Sequence, residues 1–213
     1  MQITKLVQSK KQNLVQIFID EEFAASINKN TLVKFQLHQG LVITHDLWLE
    51  ILNKDLFVKL YYAAIKQIAS RPRTLREMQT YLKSKIKKLL LEENMQDKIL
   101  DDIINKLIDE KYLDDSQFAK WLIDNRLSFK GKGRAELEAE LYAKGVAREV
   151  INDVLSNQDF SSIEVEIIKK DALKKFHVTN MPKDRKLALK ISSYFLRRGF
   201  GYDKIKAALV LNQ

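Results

Sequence analysis

The sequence contains no cysteine. That excludes disulfide frameworks, thiolate zinc sites, iron–sulfur clusters and thiol catalysis, and it agrees with a reducing compartment. Glycine (6) and proline (2) are scarce among 213 residues, so few loops and a predominance of helix are expected. The longest apolar runs, such as 61–65 and 207–211, fall far short of the ~20 residues that span a bilayer. Residues 1–11 lack the apolar core of a signal peptide. A cytoplasmic location without membrane contact is therefore expected. The histidines are His38, His45 and His177, which share no metal-ligand spacing and read as surface or packing residues. Gly131-Lys132-Gly133-Arg134 lacks the third glycine of a dinucleotide fingerprint and the Gly-Lys-Ser/Thr of a phosphate loop, so it reads as a break between helices. No metal and no cofactor is expected.

What is present is apolar and basic. Apolar residues make up 46% of the chain, enough to pack a core without covalent staples. The net charge of +9 is uneven. Residues 1–55 carry six cations and six anions, whereas residues 161–213 carry twelve and five. A basic, asymmetric helical chain suggests a polyanion or an acidic protein surface as partner.

Residues 1–55 differ from the rest. Ile3–Val7 and Leu14–Ile19 are runs of β-formers around the polar stretch Gln8–Asn13, as in a hairpin, and Glu22–Ile27 can add a third strand. Thr31 is expected to cap a short helix that Gly40 ends. Thr44 or Asp46 is expected to start another, running through Leu52. From Leu56 the period becomes helical, with Phe57, Leu60, Tyr61, Ala64, Ile65 and Ile68 on one face. Arg71-Pro72 ends that helix. Thr74 and Glu77 form a capping box for the next, whose stripe is Leu75, Met78, Leu82, Ile86 and Leu89. A third helix turns Met95, Ile99, Ile103, Leu107 and Ile108 inward.

Two further trios follow. Asp114 and Gln117 frame a helix that carries Phe118, Ala119, Leu122 and Ile123; Leu137 and Leu141 carry a second; Val150, Ile151, Val154 and Leu155 carry a third. The last trio covers Ile163–Phe176, Lys183–Arg198 and Asp203–Leu211. A shift of 54 lays Leu137 on Ile191, Leu141 on Phe195, Gly145 on Gly199, Val146 on Phe200, Ile151 on Ile205 and Leu155 on Leu209. Each of these glycines is expected to end a helix in the left-handed region, with the next apolar residue folding back. Such repetition implies stacked units that bury a shared face. The first trio has Lys85 where the glycine would stand. The fold class is mainly α, an elongated array of three-helix repeats with a small N-terminal α+β segment. Its parts are 1–55, 56–113, 114–158 and 159–213.

Asp97, Asp101, Asp102, Asp109, Glu110, Asp114 and Asp115 could serve a two-metal nuclease. With no basic or histidine partner spaced to complete a site, the first five read as the wet face of a helix and the last two as caps. The basic clusters hold more promise. Arg71, Arg73, Arg76, Lys83, Lys85, Lys87 and Lys88 contain one acid among them, Glu77. Lys130, Lys132 and Arg134 gather at a helix break, Lys169, Lys170, Lys174 and Lys175 lie along one helix, and Arg197 and Arg198 precede Gly199. Each cluster alone reads as a solvated helix face. Together, with three of them at helix breaks, they are expected to line one side of the array as a basic groove for phosphates. The candidate contacts are Arg71, Arg73, Arg76, Lys85, Lys87, Lys88, Lys132, Arg134, Lys144, Arg197 and Arg198. Aromatic neighbours such as Tyr81, Phe129 and Phe200 read as core residues ahead of base-stacking ones.

The ordered set resembles the RecX family. It comprises Tyr62-Ala63-Ala64-Ile65; Arg71-Pro72-Arg73-Thr74 ahead of Glu77 and Leu82; Tyr112-Leu113-Asp114-Asp115 with Phe118-Ala119; Gly131-Lys132-Gly133, Glu140-Leu141 and Lys144-Gly145-Val146; and Arg197-Arg198-Gly199-Phe200-Gly201-Tyr202. It covers about 56–211, and the N-terminal segment resembles the extension of members from Gram-positive bacteria. The resemblance implies an elongated, curved array without catalysis that modulates RecA, mostly by inhibition. It would bind the RecA–DNA filament in its groove or at its growing end, and restrain strand exchange and coprotease activity. The expected partners are thus the RecA filament and single- or double-stranded DNA, met by a monomer. The alternative is a DNA-binding protein that acts without RecA.

Overall fold

The computed structural model describes residues 1–9, 13–89, 93–157 and 159–209, with the backbone alone at Phe129 and Lys130. The expected hairpin turn over 10–12 and helix end at Leu211 lie outside the described residues. Three strands, β1 (Ile3–Gln8), β2 (Leu14–Ile19) and β3 (Glu22–Asn28), form an antiparallel sheet in the order β1-β2-β3, with Ile17 opposite Leu6 and Ala25. Ten helices follow among the described residues. They are α1 (Lys29–Lys34), α2 (His45–Ser70), α3 (Leu75–Ile86), α4 (Glu93–Asp109), α5 (Asp115–Lys130), α6 (Arg134–Ala143), α7 (Arg148–Ser156), α8 (Phe160–Phe176), α9 (Arg185–Leu196) and α10 (Tyr202–Ala208). The chain is mainly α, with its small sheet at the N-terminus. It divides into two compact units, 1–71 with 80–109, and 72–79 with 110–213.

In the first unit, alternation puts Val15, Ile17 and Ile19 on one face of β2, where Ile17 and Ile19 join Ile3, Ile27, Leu37, Ile43, Trp48 and Ile51 in a core. Several expectations give way in this unit. Asn28, not Thr31, caps α1, accepting from the Asn30 N–H at 2.9 Å, and that helix ends at Phe35, ahead of Gly40. Thr31 is buried instead and donates its hydroxyl to Asp55 at 3.0 Å. The two helices expected on either side of residue 55 are one, α2, capped by Thr44 through the Leu47 N–H. Nothing between Leu52 and Leu56 breaks a helix. Asp55, which interrupts the apolar stripe in sequence, points inward. It accepts from the Asn28 N–H at 2.6 Å and pairs with Lys59 at 2.7 Å, so its burial is compensated. α2 ends at Ser70, and Arg71 is extended before Pro72, as the proline requires. On α4 the buried residues are Ile99, Leu100, Ile103, Ile104 and Leu107, whereas Met95 and Ile108, expected inward, are exposed.

In the second unit, α5–α7 and α8–α10 are two versions of one three-helix design. One core gathers Phe118, Leu122, Ile123, Leu137, Leu141, Val146, Ile151, Val154 and Leu155. The other gathers Ile168, Ala172, Ile191, Phe195, Phe200, Ile205 and Leu209. Every residue in the sequence alignment at 54 apart is buried in both copies, the two glycines apart. Those glycines adopt φ of +85° at Gly145 and +80° at Gly199. Val146 N–H reaches Leu141 C=O at 3.2 Å, and Phe200 N–H reaches Phe195 C=O at 3.2 Å. These are matching left-handed helix ends with the apolar residue folded back over the last turn.

Candidate nucleic-acid interface

The helix breaks that carry the expected cations are joints. The start of α3 meets the end of α6, and the start of α6 meets the end of α9, in the same way. At the first joint the Thr74 hydroxyl donates to Lys144 C=O at 2.9 Å and also accepts from the Glu77 N–H at 3.1 Å, the threonine half of the expected capping box. At the second, Gly133 N–H donates to Arg198 C=O at 2.8 Å. Lys144 and Arg198 are 54 residues apart, the repeat shift. In each joint a carboxylate from the neighbouring first helix accepts the first free N–H of the incoming helix. Asp115 takes Leu75 N–H at 2.9 Å, and Glu164 takes Arg134 N–H at 2.6 Å. Both aspartates expected as caps are caps: Asp114 accepts from Ser116 and Gln117 N–H at the start of α5, while Asp115 caps α3. Burial raises the carboxyl pKa of both Asp115 and Glu164, against the lowering effect of the N–H each accepts.

The joints engage several candidate cations. Lys144 pairs with Glu77 at 2.8 Å. Lys132 bridges Glu136 at 2.5 Å and Glu140 at 3.1 Å; burial opposes its charge, and the two carboxylates more than offset this and raise its pKa. Arg198 donates to Asp171 at 2.6 Å, to the Tyr194 hydroxyl at 2.5 Å and to Gly131 C=O at 2.6 Å. The side chain of Arg76 lies over Gly145, so that any Cβ there would overlap it. Arg71 and Arg73 are half-buried. Arg134 is exposed, its guanidinium 5.8 Å from the Phe160 ring, and Arg197 is exposed. In the first unit Lys85, Lys87 and Lys88 are all exposed, Lys85 lying 5.6 Å from the Tyr81 ring.

No local sequence signal singles out Arg126. It holds Glu140 through two guanidinium nitrogens at 2.5–3.1 Å, and nothing in a separation of 14 residues marks that pair. Hydrogen bonds from Arg126, against burial and with help from Lys132, bring the Glu140 pKa down to about 2. A carboxylate depressed in the folded state stabilises it above the unfolded value and loses that contribution as pH falls. Glu140→Gln is therefore expected to cost about 2 kcal/mol at neutral pH and close to nothing near pH 2. Thermal melts of both proteins between pH 7 and pH 2 check this: the two melting temperatures should converge on acidification.

The exposed cations of the second unit concentrate on α8 and α9. Lys170, Lys174 and Lys175 line an open cleft of about 520 Å³ with Asp171, Tyr194 and Arg198. Lys175 Nζ sits 3.9 Å from the Tyr194 ring centroid. Lys183, Arg185, Lys186, Lys190 and Arg197 stand exposed nearby in sequence, and no acid lies between 185 and 202. A surface of this kind attracts phosphates or carboxylates. Among the described residues no group of three or more His, Asp or Glu is placed to hold a metal. No helix among them is long and apolar enough to cross a membrane.

These features define a helical-repeat protein whose joints engage some cations and leave others facing outward. Comparison with known proteins narrows the class. A family model described as RecX, second three-helix domain, matches residues 114–155, the span of α5–α7. A model described as Regulatory protein RecX N-terminal domain matches residues 1–44, up to the cap of α2. A protein named Regulatory protein RecX from Bacillus licheniformis is 33% identical over 213 residues, 97% of this chain and 76% of the relative. Its namesake from Listeria welshimeri is 31% identical over 209 residues, 98% of this chain and 74% of the relative. Two crystal structures share the fold. One, of a regulatory protein RecX, has a TM-score of 0.68 at 22% identity and covers 97% of this chain and 98% of its own. The other, RecX from Lactobacillus salivarius, has a TM-score of 0.56 at 26% identity and covers 71% and 93%. The chain belongs to the RecX family of regulatory proteins.

Proposed function

We propose that this chain is a non-enzymatic modulator of the RecA recombinase that binds the RecA–DNA filament and restrains strand exchange, ATP hydrolysis and coprotease activity. It acts in the cytoplasm as a monomer. The observation that carries the reading is the likeness, over nearly the whole chain, to proteins named Regulatory protein RecX. The charge pattern supports it: cations stand outward on α8 and α9, where phosphates or acidic side chains of a filament can meet them. Lys85, Lys87, Lys88, Arg134 and Arg197 are the candidate contacts least engaged in the fold itself. Titrating the chain into RecA on single-stranded DNA tests this. ATP hydrolysis is expected to slow at stoichiometric amounts, and an unchanged rate would overturn the reading. The cleft at Lys170 and Lys174 also favours direct DNA binding without RecA. That second reading requires affinity to fall steeply with salt, by ~0.7 in log K per decade of salt for each phosphate neutralised on a single strand.

A further inference from the structure

A basic cleft also lies within the first unit. It opens among α1, α2 and α4, with a volume of about 580 Å³. Four lysines line it: Lys34 at the end of α1, Lys54 on α2, and Lys98 and Lys106 on α4. Their separation in sequence hid the cluster. The apolar lining is formed by Phe35, Phe57, Ile99 and Met95, and Met95 is 40% exposed. The Phe57 and Tyr61 rings stack at 6.1 Å, with Lys54 Nζ 5.0 Å from the first ring and Lys106 Nζ 5.4 Å from the second. Two acids, Glu50 and Asp102, share the lining.

The lysines crowd one another. Burial first, then the ammonium of Lys34 close beside it and that of Lys106, hold Lys54 below the ordinary lysine pKa, with Asp102 opposing. Neither Lys34, Lys54 nor Lys98 makes an ion pair with a carboxylate among the described residues. Converging like charges cost stability unless an anion sits between them. An apolar floor beneath such a cluster suits a ligand with one highly charged end and one flat, apolar end. The volume lies within the range of small-ligand clefts.

We propose that this cleft binds a nucleotide unit, its phosphate among Lys34, Lys54 and Lys106 and its base against Phe57 and Met95. The unit can come from a free nucleotide or from a single strand. The inference does not rest on the RecA reading, since either can fail while the other stands. Calorimetric titration of the full chain with adenosine monophosphate, inorganic phosphate and a short oligodeoxyadenylate tests it.

The expected result is one saturable site per chain for the nucleotide, with inorganic phosphate weaker by roughly tenfold or more because it leaves the apolar floor uncovered. Lys34→Gln with Lys54→Gln should weaken the nucleotide by roughly tenfold or more, while the unliganded melting temperature holds or rises as the repulsion is relieved. Arg197→Gln should leave nucleotide binding unchanged. Competition by the oligonucleotide identifies a strand as the source, and its failure to compete identifies a free nucleotide. No binding, equal binding of phosphate and nucleotide, or an unaffected double variant would overturn the proposal. Photocrosslinking of an azidoadenosine monophosphate to the unmutated chain needs no variant to fold. Adducts on α2 or α4 are expected, and adducts confined to other helices would contradict the site.

Discussion

Replacing Gly199 by alanine is expected to lower the melting temperature by about 5–15 °C. Two costs add. The residue has φ of +80°, where an L side chain costs roughly 1–2 kcal/mol. Its new Cβ would also overlap the backbone nitrogen of Glu136, because the start of α6 lies directly on this corner. Overpacking of that kind adds about 1–3 kcal/mol, and in a chain of this size each kcal/mol moves the melting temperature by roughly 2–4 °C. Gly133→Ala tests the same joint from the other side. Its φ of −76° suits any residue, yet its Cβ would run into the carbonyl group of Gly199. Gly40→Ala is the control. It too has positive φ, at +89°, but nothing lies within 4 Å of its Cβ position, so only the backbone cost of roughly 1–2 kcal/mol remains. Thermal melts of the three variants separate conformation from close approach. A Gly199 variant no less stable than the Gly40 variant would mean that the joint is not packed as described.

The second large effect is a separation of binding from stability. Lys170, Lys174 and Arg197 are exposed, and none makes an ion pair among the described residues. Replacing the three by glutamine should leave the melting temperature within about 2 °C of the parent, as surface changes do. If each meets a phosphate or carboxylate of the filament at about 0.5–1 kcal/mol, the concentration needed to slow RecA-dependent ATP hydrolysis should rise roughly 10–100-fold. Arg198 predicts the opposite pattern. Arg198→Gln deprives Asp171, Tyr194 and Gly131 of one shared donor in a half-buried joint, at a cost of about 2–4 kcal/mol. Its effect on RecA should follow its loss of stability and disappear at temperatures where it remains folded. Melts and hydrolysis assays on the same preparations provide both readouts.

The second and third trios were legible because their signals are local. A glycine after a lysine or arginine, with an apolar residue next, specifies a helix end whatever surrounds it, and Gly145 and Gly199 behave alike. The first helices of the same trios escaped the alignment. They match at a shift of 49, which pairs Asp115 with Glu164, Ala119 with Ile168 and Ile123 with Ala172. Residues 177–184 between α8 and α9 outnumber residues 131–133 between α5 and α6 by the five that separate 49 from 54. The single shift of 54 therefore hides Glu164, which is 4% exposed and caps another helix. Asp55 is likewise a buried acid whose partners, 24 and 27 residues away, no local pattern announces.

The candidate interface was legible as composition and hidden as geometry. Clusters of lysine and arginine announce themselves in sequence, but pairing across a joint does not. Lys132 with Glu136 is the exception, an i,i+4 pair visible by spacing alone. Lys144 meets Glu77 across 67 residues and Arg198 meets Asp171 across 27, so sequence alone could not separate joint-forming cations from outward ones. The lysines of the first unit's cleft escaped for a related reason: Lys34, Lys54, Lys98 and Lys106 form no run and come together only through packing of three helices.

In the proposed function, the outward cations of this helical-repeat protein act on a RecA filament. Electron microscopy of RecA filaments assembled on single-stranded DNA tests it most directly, with the parent chain and the Lys170, Lys174 and Arg197 triple variant compared at equal concentration. The parent is expected to shorten or sparsify the filaments and the folded triple variant to leave them near the length seen without addition. Filaments unchanged by the parent, or shortened equally by both, would contradict it.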